Sequence, residues 1–145
     1  MSALIRVVEP PAVALRRVPP DHVQFQVMLG SLLGDGQLVG LPRARRLRIA
    51  HREDRSHYVR WKYDRLGAFA AGPPRAESGV VAFETVIHPL FDDLAALLGA
   101  GRTRMDAVGP LLRPLGFAVW LADVGRLDLR AESFLPVQQE LALAS

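Results

Sequence analysis

Two short apolar segments, residues 28–36 (MLGSLLGDG) and residues 117–125 (FAVWLADVG), constrain the fold of this chain more than any other feature. Each segment carries small residues one helical turn apart and ends with an acidic residue close to a glycine. The small residues are Gly30 and Gly34 in the first segment and Ala118 and Ala122 in the second. Because such residues have little or no side chain, two helices can approach each other closely there. The pattern predicts a helix pair whose C-terminal ends lie together.

The spacing of apolar residues around the first segment predicts a helix followed by a hairpin. Asp21 can cap the first amide groups of a helix that we expect over residues 22–33. After Gly36 the period switches to two, which predicts strands over residues 37–41 and 45–51.

A second helix and a second hairpin are expected next. Asp54 or Ser56 is the candidate N-cap of the helix, which should end before a Gly-Pro-Pro sequence. A Ser-Gly pair at residues 78–79 marks the hairpin turn, and Pro89 fits the first turn of a third helix. The expected order is therefore helix, hairpin, helix, hairpin, helix, followed by a linking loop over residues 99–110.

These elements divide the chain into three parts. Residues 1–20 contain two Pro-Pro pairs and no clear period, so they are expected to form a loose extension. Residues 21–112 form the first helix-and-hairpin unit. Residues 113–145 hold the second apolar helix and the start of an incomplete second unit, with a strand expected over 126–131 and a helix over 135–144.

Positive charge is concentrated in one part of the chain. Residues 43–75 hold ten Arg or Lys against three acids, whereas the remainder holds eight against twelve. Since Arg46 and Arg48 alternate with Leu47 and Ile49, a strand there carries its arginines on the face opposite the apolar pair. Such a surface is typical of proteins that bind nucleic acid. A merely solvated arginine face is the alternative that charge alone leaves open.

Several classes of protein are excluded by composition. The chain has no cysteine, which rules out disulfide scaffolds, thiolate zinc sites and cysteine nucleophiles. No apolar stretch reaches the length of a membrane span, and charged residues interrupt residues 1–20. We therefore expect a cytoplasmic protein, nucleoid-associated if bacterial, that does not bind membranes.

Taken together, the two apolar segments resemble the paired motifs of LAGLIDADG homing endonucleases, in the branch that carries both motifs on one chain. Further points of resemblance are Tyr58, Trp61-Lys62, Thr85, His88-Pro89 and Phe91, so that the likeness covers about residues 24–140. It implies an α+β fold with an α-β-β-α-β-β-α unit around a saddle-shaped antiparallel sheet, followed by an incomplete second repeat. Internal pairing of the two motif helices also implies a monomer in preference to a homodimer.

The resemblance assigns chemistry to the helix ends. In the family, the acid at Asp35 and its counterpart in the second motif hold a divalent metal, Mg²⁺ or a similar cation, against the scissile phosphates. Carboxylate oxygens suit Mg²⁺, which can stabilise the attacking and leaving oxygens of phosphodiester hydrolysis. The counterpart here is Val124, which cannot ligate a metal. Asp123 lies one residue earlier, about 100° around a helix, and would serve only if the helix unwinds. Alternatively, Asp35 binds no metal and only stabilises a turn before Gly36.

The first hairpin is the expected DNA-binding element, because a major groove admits a two-stranded β-ribbon. The predicted DNA-binding residues are Gln37, Arg43, Arg46, Arg48 and Arg52, with Arg102 and Arg104 in the loop before the second motif. Arginine binds both bases and phosphates, so the sequence leaves their individual roles open. For Arg102 and Arg104, an ordinary charged loop is the alternative.

The sequence therefore supports three hypotheses. The first is a site-specific, Mg²⁺-dependent DNA endonuclease of an intron, intein or free-standing gene, with activity reduced or lost because Val124 replaces the second acid. The second is a catalytically inactive relative that binds double-stranded DNA or structured RNA, such as a regulator or a maturase-like splicing helper. The third is a globular α+β protein with a solvated arginine face.

Overall fold

A computed structural model describes residues 10–99 and 103–125 of the chain. Within these ranges it contains six α-helices and four β-strands, in agreement with the expected α+β class. The helices are α1 (Pro11–Ala14), α2 (His22–Leu33), α3 (Ser56–Leu66), α4 (Pro89–Leu98), α5 (Arg104–Val108) and α6 (Pro114–Asp123). The strands are β1 (Gln37–Val39), β2 (Arg46–Arg52), β3 (Arg75–Glu77) and β4 (Val80–Glu84). The helix-hairpin-helix-hairpin-helix order from α2 to α4 matches the prediction.

The start of α2 is set by a capping box. The Asp21 carboxylate accepts from the Gln24 amide at 2.8 Å, and the Gln24 side-chain oxygen accepts from the Asp21 amide at 2.9 Å. Two amide groups that a helix start leaves without partners are thereby satisfied. The predicted role of Asp21 as the cap and the predicted bounds of this helix both agree with the structure.

The four strands form one antiparallel sheet in the order β1-β2-β4-β3. Ser78 and Gly79 connect β3 to β4, both with positive φ angles of 53° and 81°. Two consecutive residues of this kind match the right-handed twist of the flanking strands, as tight hairpin turns require. The central strands β2 and β4 present Leu47, Ile49 and Phe83 to one side of the sheet.

The hydrophobic core lies on that side of the sheet, which we call the inner face. Thr85 ties the strands together there, because its hydroxyl accepts from the Leu47 amide at 2.9 Å and donates to the Val86 carbonyl at 3.0 Å. Helices α2 and α3 cover the inner face. Fully buried members of the core include Val27, Met28, Leu29, Tyr58, Val59, Leu66, Phe91 and Val119.

Helices α2 and α6 pack directly on each other through small residues. A methyl group added at Gly30 would overlap the Gly116 carbonyl and the Val119 side chain, and one added at Gly34 would overlap Asp123. The predicted partners Ala118 and Ala122 are both buried in α6, but the nearest atoms to the two glycines belong to Gly116, Val119 and Asp123. Helices α2 and α6 therefore approach each other at the predicted glycines of α2. The residues of α6 that face these glycines are not the predicted alanines.

Three local predictions were wrong. Neither Asp54 nor Ser56 caps α3, because a turn of 3₁₀ helix over Glu53–Arg55 precedes it and makes Arg55 the residue at the cap. Residues 104–111 are helical instead of a loop, since the Thr103 hydroxyl accepts from the Asp106 amide at the start of α5 and Ala107 and Val108 are buried.

The third wrong prediction concerns the loose extension before residue 21. Its described part contains α1 and a 3₁₀ turn at Leu15–Arg17. Leu15 packs against the core, and His88 lies 2.9 Å from the Val18 carbonyl. The strand and helix expected over residues 126–131 and 135–144 lie outside the described residues.

No helix within residues 10–99 and 103–125 combines the length and the apolar character needed to cross a membrane.

Candidate functional site

The side of the sheet opposite the core, which we call the outer face, carries the predicted DNA-binding side chains. Because side chains alternate along a strand, those between the buried residues of β2 and β4 point away from the core. The residues of the outer face are Gln37, Arg46, Arg48, Ala50, Arg52, Arg75, Glu77, Val80, Ala82 and Glu84. Four arginines and two glutamates give this face a positive balance.

Three of the four arginines of the outer face are paired with carboxylates. Arg46 Nε donates to Glu84 Oε1 at 2.6 Å, and Arg48 Nη1 lies 3.8 Å from Glu84 Oε2. Arg52 forms an exposed ion pair with Asp54 at 2.5 Å. These side chains remain partly exposed, so they can contact a ligand while they are paired.

The other predicted DNA-binding residues lie elsewhere. Arg43 is exposed on the β1–β2 connection, where its amide donates to Asp92 in the first turn of α4. Arg104 begins α5, and its guanidinium donates to the Leu32 carbonyl at 2.7 Å near the end of α2. Arg102 lies outside the described residues. The structure thus groups Gln37, Arg46, Arg48 and Arg52 on one face and separates Arg43 and Arg104 from it.

Asp35 follows the C-terminal end of α2 and is open to solvent. Its side chain is 55% exposed. Partial burial and the neighbouring Asp123 carboxylate raise the pKa of Asp35, although Lys62 and Arg55 oppose that shift. Asp35 lies in an open cleft of about 610 Å³ that is also lined by Ala50, Arg52, Asp54, Arg55, Val80 and Val124.

Asp123 has a different environment, although it too lies near a helix end. Its side chain is fully buried. The Lys62 ammonium donates to Asp123 Oδ1 at 2.8 Å, and the Tyr58 hydroxyl donates to the same oxygen at 2.5 Å. The other oxygen accepts from the Asp35 amide at 2.9 Å. Both carboxylate oxygens are therefore used inside the protein.

The ionisation of the buried partners follows from this geometry. Burial lowers the pKa of the Lys62 ammonium, while the Asp123 carboxylate opposes that shift. Burial and the negative charge of Asp123 both raise the pKa of Tyr58, which therefore remains a hydrogen-bond donor. A buried ion pair of this kind is strongly destabilised when one partner is removed, because an uncompensated charge is left behind.

His51 lies between the two carboxylates. Its Nδ1 is 3.6 Å from Asp35 Oδ2, and its Nε2 is 3.7 Å from Asp123 Oδ1 and 3.2 Å from Lys62 Nζ. Burial and the nearby Lys62 charge lower the pKa of His51 to about 4, so the ring is neutral at pH 7. Since the ammonium can only donate, Nε2 is the acceptor and Nδ1 carries the proton.

Arg55 closes the same region from the solvent side. Its guanidinium donates to the Ala122 carbonyl at 2.6 Å and lies 4.7 Å from the centre of the Tyr58 ring. A cation near the C-terminal end of α6 is favourably placed relative to the helix dipole. Arg55 therefore fixes the end of α6 above the buried Lys62–Asp123 pair.

These residues do not fit a metal ion held between two carboxylates. Asp123 is engaged through both oxygens, and the position that the resemblance assigns to the second acid holds Val124, which is 50% exposed. Within residues 10–99 and 103–125 there is no group of three or more His, Asp or Glu side chains arranged to hold a metal. Of the two motif-end acids, only Asp35 has an exposed side chain at the cleft. Asp54 also lines the cleft, in an ion pair with Arg52.

Two residues of this centre, His51 and Lys62, were not predicted as site residues, although the sequence carried a signal for each. His51 is in phase with Leu47 and Ile49 on β2, so the period of two places it on the inner face. Lys62 is four residues after Tyr58, on the buried side of α3. Asp123 was named among the candidates, as a doubtful metal ligand.

A model of the LAGLIDADG DNA endonuclease family matches residues 25–141, a range that includes both motif segments, residues 28–36 and 117–125, and everything between them. The chain belongs to the LAGLIDADG DNA endonuclease family.

Similar segments occur in larger proteins. Proteins named RecA from Mycolicibacterium flavescens and Mycolicibacterium chitae are each 33% identical to this LAGLIDADG chain over 115 residues, which is 75% of the chain and 27% of theirs. A protein named RecA from Mycobacterium shimoidei is 32% identical over 114 residues. The chain thus spans about a quarter of the length of these relatives.

A solved structure has the same fold. The homing endonuclease I-WcaI, bound to its DNA recognition sequence, matches with a TM-score of 0.58 and 18% identity, over 73% of this chain and 52% of that one. At this identity the match confirms the LAGLIDADG-type fold, and the chain spans about half of the length of I-WcaI.

Proposed function

We propose that this protein binds duplex DNA through the outer face of its sheet, and that it hydrolyses DNA weakly or not at all. Membership of a DNA endonuclease family and the likeness of its fold to a homing endonuclease bound to DNA support the first part. The observation that carries the second part is the burial of the Asp123 carboxylate against Lys62, beside an exposed Val124.

The outer face has the chemistry that duplex recognition needs. Arg46 and Arg48 can form bidentate contacts with guanine or with phosphates, and Gln37 can do so with adenine. Ala50 and Ala82, directly opposite each other on β2 and β4, leave room for the DNA to approach the middle of the sheet. A major groove admits a two-stranded ribbon such as β1 and β2.

The centre beneath the sheet lacks the second carboxylate that the family mechanism needs. Bringing Asp123 to the cleft would separate it from Lys62 and leave a buried cation without a counter-ion, which costs several kcal/mol. Asp35 remains available to a cation, so slow hydrolysis of one strand is the second candidate function, favoured by the exposure of this side chain.

Binding can be tested with mixed-sequence duplex DNA over a series of salt concentrations. We expect affinity to fall steeply with salt, and Arg46→Gln and Arg48→Gln each to weaken binding, because each removes a positive charge from the surface proposed to face the DNA. Arg60→Gln removes the same charge from the exposed side of α3 and is the matched control. Absence of binding at low salt, or equal effects of all three variants, would contradict the proposal. Preference for structured RNA over DNA would favour a maturase-like protein instead.

Cleavage can be tested with a plasmid that carries a duplex selected by the native protein from a random library. With Mg²⁺ we expect the native protein to leave the plasmid uncut or slowly nicked, and Val124→Asp to increase the rate of cutting, because it restores an acid at the position of the second ligand. Asp35→Asn should abolish the gain. Efficient double-strand cleavage by the native protein would contradict the second part of the proposal.

The same proposal places the protein in the cytoplasm, with chromosomal DNA. The match to about a quarter of the length of proteins named RecA agrees with a domain carried inside a host protein, as in an intein.

A further inference from the structure

Gln37, Arg48 and Glu84 form a row of polar side chains across three neighbouring strands of the outer face. The strand register places Arg48 of β2 opposite Gln37 of β1 on one side and opposite Glu84 of β4 on the other. Arg46 is next along β2 and binds the same glutamate. Glu84, the last residue of β4, therefore lies beside both arginines on the surface proposed to contact DNA.

A carboxylate is unexpected in this place, because it repels the phosphates that dominate affinity for DNA. Its two oxygens are divided between the two arginines, one 2.6 Å from Arg46 Nε and the other 3.8 Å from Arg48 Nη1. A partly exposed ion pair of this type contributes little to the stability of a fold. The pair is thus better explained by recognition than by folding.

The geometry of the pair bears on what the arginines can contact. Glu84 engages Arg46 through Nε, which leaves both terminal nitrogens of that guanidinium available for a bidentate contact with a base edge. A shallow concavity of about 680 Å³ adjoins the row, with Ala82 in its lining and Arg48, Arg75 and Glu84 around it. The small side chain of Ala82 permits close approach of a base-pair edge.

We propose that Glu84 is a specificity-determining residue that holds Arg46 and Arg48 for contacts with base edges and weakens their contacts with phosphates. This inference rests on the proposed DNA-binding function. Its consequence is a larger ratio between the affinities for target and mixed-sequence DNA than the two arginines would give without the glutamate.

The test compares Glu84→Gln with Glu77→Gln, which removes the same charge from β3 on the same face. For each variant the affinity is measured for a mixed-sequence duplex and for a duplex selected by the native protein. Glu84→Gln should strengthen mixed-sequence binding about tenfold and reduce the ratio of the two affinities about as much, whereas Glu77→Gln should strengthen both by only about twofold. Thermal unfolding of each variant verifies that the fold is retained.

A second comparison tests whether Glu84 affects DNA binding through Arg46 and Arg48. In a variant with Arg46→Gln and Arg48→Gln, the further change Glu84→Gln should affect binding no more than Glu77→Gln does. Equal effects of Glu84→Gln and Glu77→Gln in the native background would overturn this inference while leaving DNA binding intact. Failure of the native protein to bind any duplex at low salt would overturn the proposed function as well.

Discussion

The ends of α2 and α6 are built alike and yet expose their acids differently. At each end an arginine binds a carbonyl in the last turn, Arg104 at Leu32 and Arg55 at Ala122. Asp35 lies two residues beyond α2 and is open to solvent, whereas Asp123 is the last residue of α6 and is buried. The acid is therefore exposed to solvent at the end of α2 and buried in the protein at the end of α6.

A shift of one residue accounts for this difference. Residues in a helix are separated by about 100° around its axis, so Asp123 faces α2 while Val124 faces the cleft. Gly34 makes the inward position possible, because any side chain there would overlap the Asp123 carboxylate. The comparison shows that an acid near a motif end is a ligand candidate only at the position that faces outward.

Removal of the buried acid should give the largest effect. Asp123→Asn leaves Lys62 buried without a counter-ion, and we expect a loss of about 3–5 kcal/mol in the free energy of unfolding. Asp35→Asn, the matched change at the exposed acid, should alter it by less than about 0.5 kcal/mol. Urea denaturation of both variants measures the contrast, and similar values would remove the distinction between the two helix ends.

A substitution at the close contact between α2 and α6 should give the next largest loss in the free energy of unfolding. Gly30→Ala places a methyl group against the Gly116 carbonyl, so we expect a destabilisation of about 2–3 kcal/mol. Gly72→Ala is the control, because a side chain there meets nothing within 4 Å. If chemical denaturation showed the Gly30 variant to be as stable as the Gly72 variant, the helix ends would not be as close as described.

His51, which lies between Asp35 and Asp123, should have a smaller effect on the free energy of unfolding, and this effect should depend on pH. His51 has its pKa lowered to about 4 by burial and by Lys62, so the unfolded chain binds a proton here before the folded chain does. The stability it contributes is complete above its unfolded pKa of about 6.5 and is lost as pH falls toward 4. Between pH 7.5 and 5 we expect a loss of about 2 kcal/mol that is absent in His51→Gln.

The control for this effect is the native protein, whose unfolding free energy is measured against pH beside that of His51→Gln. A native profile that coincides with the His51→Gln profile would show that the ring is not held neutral between the acids.

The sequence predicted the elements whose signals are local. The Asp21 cap, the Ser-Gly turn at residues 78–79 and Pro89 at the start of α4 each act within a few residues, and the structure agrees with all three. The helix α5 was missed because five residues next to Gly109 and Pro110 give too short a pattern to recognise.

The buried centre was harder to predict, for two different reasons. Lysine is almost never fully buried, so a periodic pattern that includes Lys62 is ordinarily assigned to the surface. The pairing of Lys62 with Asp123 depends on residues 61 positions apart and on the space left by Gly34, which only the packed helices define. The outward position of Val124 follows from helix geometry, and its consequence for metal binding stays a prediction.

Mn²⁺ binding, measured with electron paramagnetic resonance on the native protein and on Val124→Asp, tests the claim that Asp35 is the only one of the two motif-end acids that is open to the cleft. We expect only weak binding by the native protein, with a dissociation constant of about 1 mM or higher, and binding at least about tenfold tighter by the variant. Tight binding of an ion by the native protein, equal to that of Val124→Asp, would contradict the claim.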